Sequence, residues 1–383
     1  MTPFLYWKLS RFYYLYYFFV GIFVPYWALY LTSLNFSPIQ IGILLAIFQF
    51  GRIISPNFWA YLADESSNRA KFLRLNAFIG ALGFIYIYFA HSFYDILIVM
   101  LFMSLFTSST LPLFESITLS HLSEGKGEYS YSKIRVWGSF GFICSSLAVG
   151  FLVDSLGISV AIVAILITQI LIFTSSIKVP EKKIEIIDNQ RRSIFLILKK
   201  LNVMAIILGC TLMVSSHGLL YNFYSIFLEQ NHYSKTIIGI LWSIGVICEI
   251  FIFLLIPKIM KFVSLKQLIF ISLVLAVIRF FLIGQYIDNL FILFLAQTLH
   301  AATFGCFHVA SVQVIEYFFN KEHHARGQSI YNSITYGLGG VIGGLGGGFL
   351  IDRIGMSLTF TLSALLPLIA IFIFRLGLRN YPD

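Results

Sequence analysis

The chain has 383 residues, of which 58% are hydrophobic, 17% aromatic and only 11% charged, with a mean hydropathy of +0.87. Soluble domains carry about 25% charged residues, so a water-soluble fold is excluded and the sequence is that of an integral membrane protein. A net charge of +9 would suit nucleic acid in a soluble protein. Here the cations sit in short loops between apolar runs, with no basic stripe of interleaved aromatics, and nucleic-acid binding is excluded.

A membrane-spanning helix needs about 20 apolar residues. In chain order such runs are expected near 12–34, 40–62, 73–91, 94–120, 132–153 and 157–176, then 202–228, 236–257, 267–285, 289–317, 328–350 and 357–376. The first run follows Lys8 and Arg11, is too long for a signal-peptide core and has no small-x-small cleavage site, so it reads as a retained helix. Between the two sets of six lies the longest polar stretch, "KVPEKKIEIIDNQRRSIFLILKK". The expected organisation is therefore an N-terminal six-helix bundle (1–177), a cytoplasmic linker (178–200) and a C-terminal six-helix bundle (201–383). Cys144, Cys210, Cys248 and Cys306 each lie inside an apolar run without a CxxC pair, which argues against disulfides and a metal site.

Charge asymmetry sets the expected orientation. Lys8, Arg11, Arg69, Lys71, Arg74, the linker cations, Lys258, Lys261, Lys266, Arg375 and Arg379 fall on one side, while the opposite loops hold only Lys235 and Arg353. The basic side is read as cytoplasmic, with both termini inside. The halves also repeat each other. "SPIQIGILLAI" matches "SKTIIGILWSI" at an offset of 197, and "GFLVDSLG" matches "GFLIDRIG" at 198. A repeat carried from one six-helix set to the next in the same orientation is a parallel repeat, the construction of major-facilitator-type transporters, with substrate held between the halves near the midplane.

Ionisable groups inside spanning helices are costly and default to functional roles. Glu249, in "SIGVICEIFIFLLIP", lies roughly 22 Å from the outer loop at 1.5 Å per residue; Arg279 lies roughly 13 Å in and His300 roughly 18 Å in. His217, in "VSSHGLL", is also mid-helix, and Arg52 occupies in helix 2 the place that Glu249 occupies in helix 8. Glu249 and Arg279, on consecutive helices, are expected to neutralise one another. His300 and His217 are candidates to titrate near neutral pH, although a lone helix histidine often only bonds a nearby carbonyl. Arginines from each half, Arg52 and Arg279, suit an anionic substrate because guanidinium binds carboxylate bidentately. Glu115 and Arg135 form a second pair near the cytoplasmic end, read as an inner-gate ion pair, as plain snorkelling, or as substrate contacts. Tyr30 and Tyr221 occupy matching helices of the repeat and are candidate cavity aromatics. The glycine run "YGLGGVIGGLGGGF" reads as close helix packing. No phosphate-binding loop or nucleophile–base constellation occurs, and no cofactor or enzyme activity is expected.

"YSKIRVWGSFGF", "HGLLYNFYSIF", "IGILWSIGVICEIFIF", "AVIRFFLIG" and "QTLHAATFGCFHVA" resemble, in order along most of the chain, the phenylpropionate permease branch of the major facilitator superfamily. The lactose permease is a more distant resemblance, in which Glu115, Arg135, Glu249, Arg279 and His300 match sugar- and proton-site residues. Two departures bear on mechanism: Thr303 stands where that type carries a second, proton-carrying glutamate, and Gln297 where it has a lysine. The loop "AYLADESSNRAKFL" is a degraded form of the superfamily loop motif, with Ala60 and Asn68 in place of glycines. The resemblance implies an all-α membrane fold of about twelve helices, in the bacterial inner membrane, working as a monomer on a small solute and protons by alternating access. A phenylpropionate-like aromatic carboxylate is the expected substrate, held by Arg52 and Arg279 with Glu249 and His300 coupling protonation. A nucleoside or sugar symporter, a drug exporter, and a membrane receptor or scaffold are the alternatives.

Overall fold

The computed structural model describes residues 2–66, 68–122, 130–181, 195–319 and 324–379. Residues 182–194, most of the expected linker, lie outside the described residues. Among the described residues there is no strand, and twelve helices are long and apolar enough to cross a membrane. They are α1 (Pro3–Ser33), α2 (Pro38–Ala63), α3 (Arg69–Phe89), α4 (Phe93–Leu122), α5 (Tyr131–Leu156) and α6 (Ser159–Ile177), followed by α7 (Leu201–Gln230), α8 (Lys235–Ile259), α9 (Leu265–Gln285), α10 (Leu290–Phe318), α11 (Gly327–Ile354) and α12 (Met356–Gly377).

All twelve expected spans are present, and the differences lie at their ends. The largest is α1, which begins at Pro3 because Thr2 caps it: the Thr2 Oγ1 accepts from the Leu5 N–H at 3.3 Å, and proline at the first position suits a helix start. The repeat is visible in the backbone as well. The short loops before α2 and α8 each turn through one left-handed residue, Asn35 (φ 62°) and His232 (φ 63°), at the 197-residue offset. Gly157 (φ 90°) and Gly355 (φ 79°) end α5 and α11 at the 198-residue offset.

The chain divides into two compact units, one of Met1–Ile187 with His232–Ser243, the other of Asp188–Asn231 with Ile244–Asp383. In the first, α1 packs along α5 and α6, and α3 along α6. The outer turns of α8 belong to this unit because Asp154, at the end of α5, caps them. Its carboxylate accepts from the Lys235 and Thr236 N–H groups, each at 2.8 Å, and from the Thr236 hydroxyl at 2.6 Å. Tyr26 on α1 donates its hydroxyl to the carbonyls of Ser146 and Lys235 and is fully buried.

In the second unit α7 is the central helix, packed by α11 and α12. The glycine run does pack closely: a Cβ on Gly343 would stand 2.5 Å from the Ser215 carbonyl oxygen and 2.7 Å from the Gly218 Cα. Only glycine permits that approach. It fixes the stretch of α7 carrying His217, whose side chain faces α9 and α10.

Candidate functional site

Arg279 sits on α9 with no exposed surface. Its Nη1 donates to His300 Nδ1 at 3.0 Å, Thr303 Oγ1 at 3.2 Å and His217 Nε2 at 3.4 Å, and its Nη2 donates to Gln297 Oε1 at 3.1 Å. Three helices thus converge on one guanidinium: α9 carries it, α7 brings His217, and α10 brings Gln297, His300 and Thr303 at helical spacing on one face. Its Nε has no hydrogen-bond partner among the described residues.

Because a guanidinium only donates, the ring nitrogens that meet it must accept. His300 therefore carries its hydrogen on Nε2. His217 accepts at Nε2 and carries its hydrogen on Nδ1, which donates to the Met213 carbonyl at 3.0 Å. The carbonyl bond anticipated for a lone helix histidine is real, but it also aims the other nitrogen at Arg279.

The expected direct neutralisation of Arg279 by Glu249 is corrected by the structure. No carboxylate is among the described hydrogen-bond partners of Arg279, and His300 stands between the two groups, with Nε2 4.0 Å from Glu249 Oε2. Adjacency of α8 and α9 in sequence suggested contact; the rotation of α10 inserts an imidazole instead. Glycines bring α8 and α10 together here. A Cβ on Gly305 would lie 2.9 Å from Ile252 Cγ2 and 3.5 Å from Glu249 Cγ, and one on Gly245 would lie 3.3 Å from His300 Cδ2.

Aromatic rings surround the polar core. His300 stacks on Phe304 (centroids 5.2 Å), which stacks on His308 (6.2 Å), and Tyr221 meets His300 and Phe304 edge-on at 6.3 and 6.4 Å. His308 Nδ1 pairs with the Tyr336 hydroxyl at 2.7 Å. Residues Ala301–Cys306 form a widened π turn directly after His300, a feature frequent at functional sites. Phe304 went unnoticed in the sequence, although the four-residue spacing of His300, Phe304 and His308 was a signal for it.

In the first unit, Glu115 and Arg135 lie close enough to feel each other's charge, but no direct ion pair joins them among the described residues. Tyr131 donates to Glu115 Oε1 at 3.1 Å, while Arg135 donates to the Tyr17 hydroxyl and lies over the Tyr17 ring at 3.9 Å. The tyrosines of the "YYLYY" stretch were the overlooked signal. Phenolic hydroxyls can donate to a carboxylate and accept from a guanidinium, so each ion finds a neutral partner. Arg52 is exposed on α2 and donates to Gln49 Oε1 at 3.1 Å. Tyr30 is 5% exposed and stacks on Trp27 at 5.5 Å, within the aromatic packing of α1.

Comparison with known proteins agrees with this architecture. Residues 6–362 match the MFS_1 like family. The "Probable 3-phenylpropionic acid transporter" of Escherichia coli (strain K12) is 27% identical over 365 residues, covering 94% of this chain and 95% of its own length. The "Putative nucleoside transporter YegT" of the same organism is 26% identical over 349 residues, covering 86% of this chain and 80% of its own. The crystal structure of nucleoside transporter NupG superposes with a TM-score of 0.85 at 18% identity, over 99% of this chain and 100% of that one. At that identity the likeness is one of fold.

Proposed function

The chain belongs to the MFS_1 like family of membrane transporters, and from that premise we propose that it is a proton-coupled secondary transporter of a small organic anion, with an aromatic carboxylate as the substrate class. The observation that carries this reading is the state of Arg279: a fully buried guanidinium whose described hydrogen-bond partners are all neutral. A buried charge without a counter-ion costs several kcal/mol, and intramembrane cations of this kind mark substrate pathways. The Nε–H has no partner among the described residues, and Nη2 keeps a second proton beyond the one given to Gln297. Those two donors form one edge of the guanidinium fork, which matches the two oxygens of a carboxylate.

The rings of Tyr221, Phe304 and His217 around the guanidinium suit an aryl group on that carboxylate. Glu249 is the proton carrier of this reading. When Glu249 is protonated, its negative field near Arg279 disappears and the guanidinium is free for the substrate anion. When Glu249 ionises, it competes for the same positive charge through His300, and the substrate leaves. Substrate and proton then move together by alternating access, the motion of this transporter architecture. Arg52, exposed on α2, is the second cation of the reading, and Glu115, Arg135 and Tyr30 are its remaining candidate contacts in the first unit. The protein would lie in the inner membrane with both termini cytoplasmic, as the loop charges suggest.

A nucleoside is the second reading, favoured by the curated relative of that name. The test is counterflow in proteoliposomes with labelled 3-phenylpropionate, uridine and a disaccharide, for the wild type and Arg279→Gln. Counterflow of the aromatic acid that falls at least about tenfold in Arg279→Gln supports the proposal, since a charged hydrogen bond contributes about 1.5–3 kcal/mol. Uridine counterflow that survives the substitution overturns it in favour of a neutral solute.

A further inference from the structure

An open groove lies on the surface of the second unit, at the basic end of α9 and α12. Lys266, Phe270 and Val274 recur every four residues on α9. Ile371 and Arg375 do the same on α12, and Arg379 follows in the turn after it. The two ladders line an open groove of about 510 Å³. The three cations stand at its mouth. The apolar wall runs deeper, with Val274 about 12 Å along the helix axis from Lys266 at 1.5 Å per residue. Val274 is 47% exposed, and neither α9 nor α12 contains an acidic residue.

The equivalent corner of the first unit shows what such a place holds. α3 and α9 start alike, with the side chains of Asn68 and Ser264 each capping the N–H three residues on, so Ala70 corresponds in position to Lys266. In the first unit the chain supplies its own anion there: the Glu181 carboxylate accepts from the Ala70 N–H, and the Val179 carbonyl accepts from Arg74 Nη2 at 3.1 Å. In the second unit the position matching Glu181 at the 198-residue offset is Arg379.

We propose that this groove binds an anionic phospholipid, its phosphate among Lys266, Arg375 and Arg379 and an acyl chain along Phe270, Val274 and Ile371. Charge complementarity selects the headgroup, because basic pockets between spanning helices at the membrane surface bind anionic lipid heads. The wall selects a lipid over a free phosphate. A soluble anion would use the cations and leave the three apolar side chains unmatched, whereas a phospholipid places both halves of its chemistry at the depth where the groove has them.

The test is native mass spectrometry of the delipidated full chain titrated with phosphatidylglycerol or phosphatidylcholine, with inorganic phosphate as competitor. The wild type is expected to retain phosphatidylglycerol over phosphatidylcholine. Neutralising Lys266, Arg375 and Arg379 to glutamine should weaken that adduct about fivefold per charge. Val274→Trp, which fills the wall without altering charge, should weaken it as well. If the triple variant is not recovered folded, Arg379→Gln alone, in the turn after α12, gives the same readout. Unchanged phosphatidylglycerol binding in the charge variants, unchanged binding in Val274→Trp, or displacement by equimolar inorganic phosphate would each overturn the proposal.

Discussion

Arg279 and His300 share a 3.0 Å hydrogen bond in which the imidazole Nδ1 is the acceptor, which leaves the ring hydrogen on Nε2, the atom 4.0 Å from Glu249 Oε2. The histidine thus joins a cation and a carboxylate through its two different nitrogens. In the proposed coupling it transmits, and the residues at its ends carry the charge.

That division of labour separates two substitutions of His300. Asparagine places a polar atom near the Nδ1 position and glutamine near the Nε2 position. His300→Asn is expected to keep substrate binding and lose pH-driven accumulation. His300→Gln is expected to weaken binding about tenfold or more, since it removes an acceptor from a charged donor. Equilibrium binding measured beside uptake with an imposed pH gradient distinguishes them, and equal effects of the two variants would refute the relay.

Glu249→Gln removes the ionisable end of the relay while keeping its shape. Exchange of substrate across the membrane without net proton movement should persist, and accumulation driven by a pH gradient should fall to the equilibrium level. Vesicles carrying this variant that still concentrate substrate against its gradient would remove Glu249 from the coupling.

Thr303→Glu adds a carboxylate beside Arg279, whose described hydrogen-bond partners are all neutral. The Thr303 hydroxyl is already 3.2 Å from Nη1, so a longer acidic side chain on the same turn can reach the guanidinium. We expect a higher melting temperature, because the buried cation gains a partner, together with at least tenfold weaker binding of an anionic substrate. A variant that binds the anion as before would show that Arg279 is not its receptor.

Gly305→Val tests the close approach of α8 and α10. Its Cβ would lie 2.9 Å from Ile252 Cγ2, and overpacking of this kind costs about 1–3 kcal/mol. The expected result is a lower melting temperature and weaker pH coupling, because Glu249 moves away from His300 while the contacts of Arg279 on α9, α7 and the preceding turns of α10 persist. Melting curves and uptake at two values of pH check both parts.

Much of the molecule was legible before its structure. Twelve apolar runs announce twelve helices because lipid requires every backbone group to be satisfied within the segment, and the matched "IGIL" and "GFL" stretches announce the repeat. Arg279, Glu249, His217 and His300 stand out for the same reason, as polar groups where lipid is expected. Their partnerships were not legible, because hydropathy fixes the depth of a side chain but not the rotation of its helix. Depth alone paired Glu249 with Arg279 and Glu115 with Arg135. The rotation of α10 puts His300 between the first two, and the tyrosines on α1 and α5 satisfy the others separately. Gln297 was visible as a departure from a lysine, but its use as the acceptor for Arg279 Nη2 depends on the same rotation.

The π turn after His300 makes chain length itself a determinant of this site. The Phe307 N–H reaches back five residues to the Ala302 carbonyl, so Ala301–Cys306 holds one residue more than an α-helical path would. Each residue of an α-helix turns the chain by about 100°. A wider turn advances each residue by less than that, so the six residues here cover roughly the rotation of five in an α-helix, and His308 keeps about the facing that a chain one residue shorter would give it. The spacing of His300 and Thr303 around the guanidinium is therefore written as a count of residues, and deleting Ala302 would shift Thr303 relative to His300 while leaving the C-terminal half of α10 facing much as before.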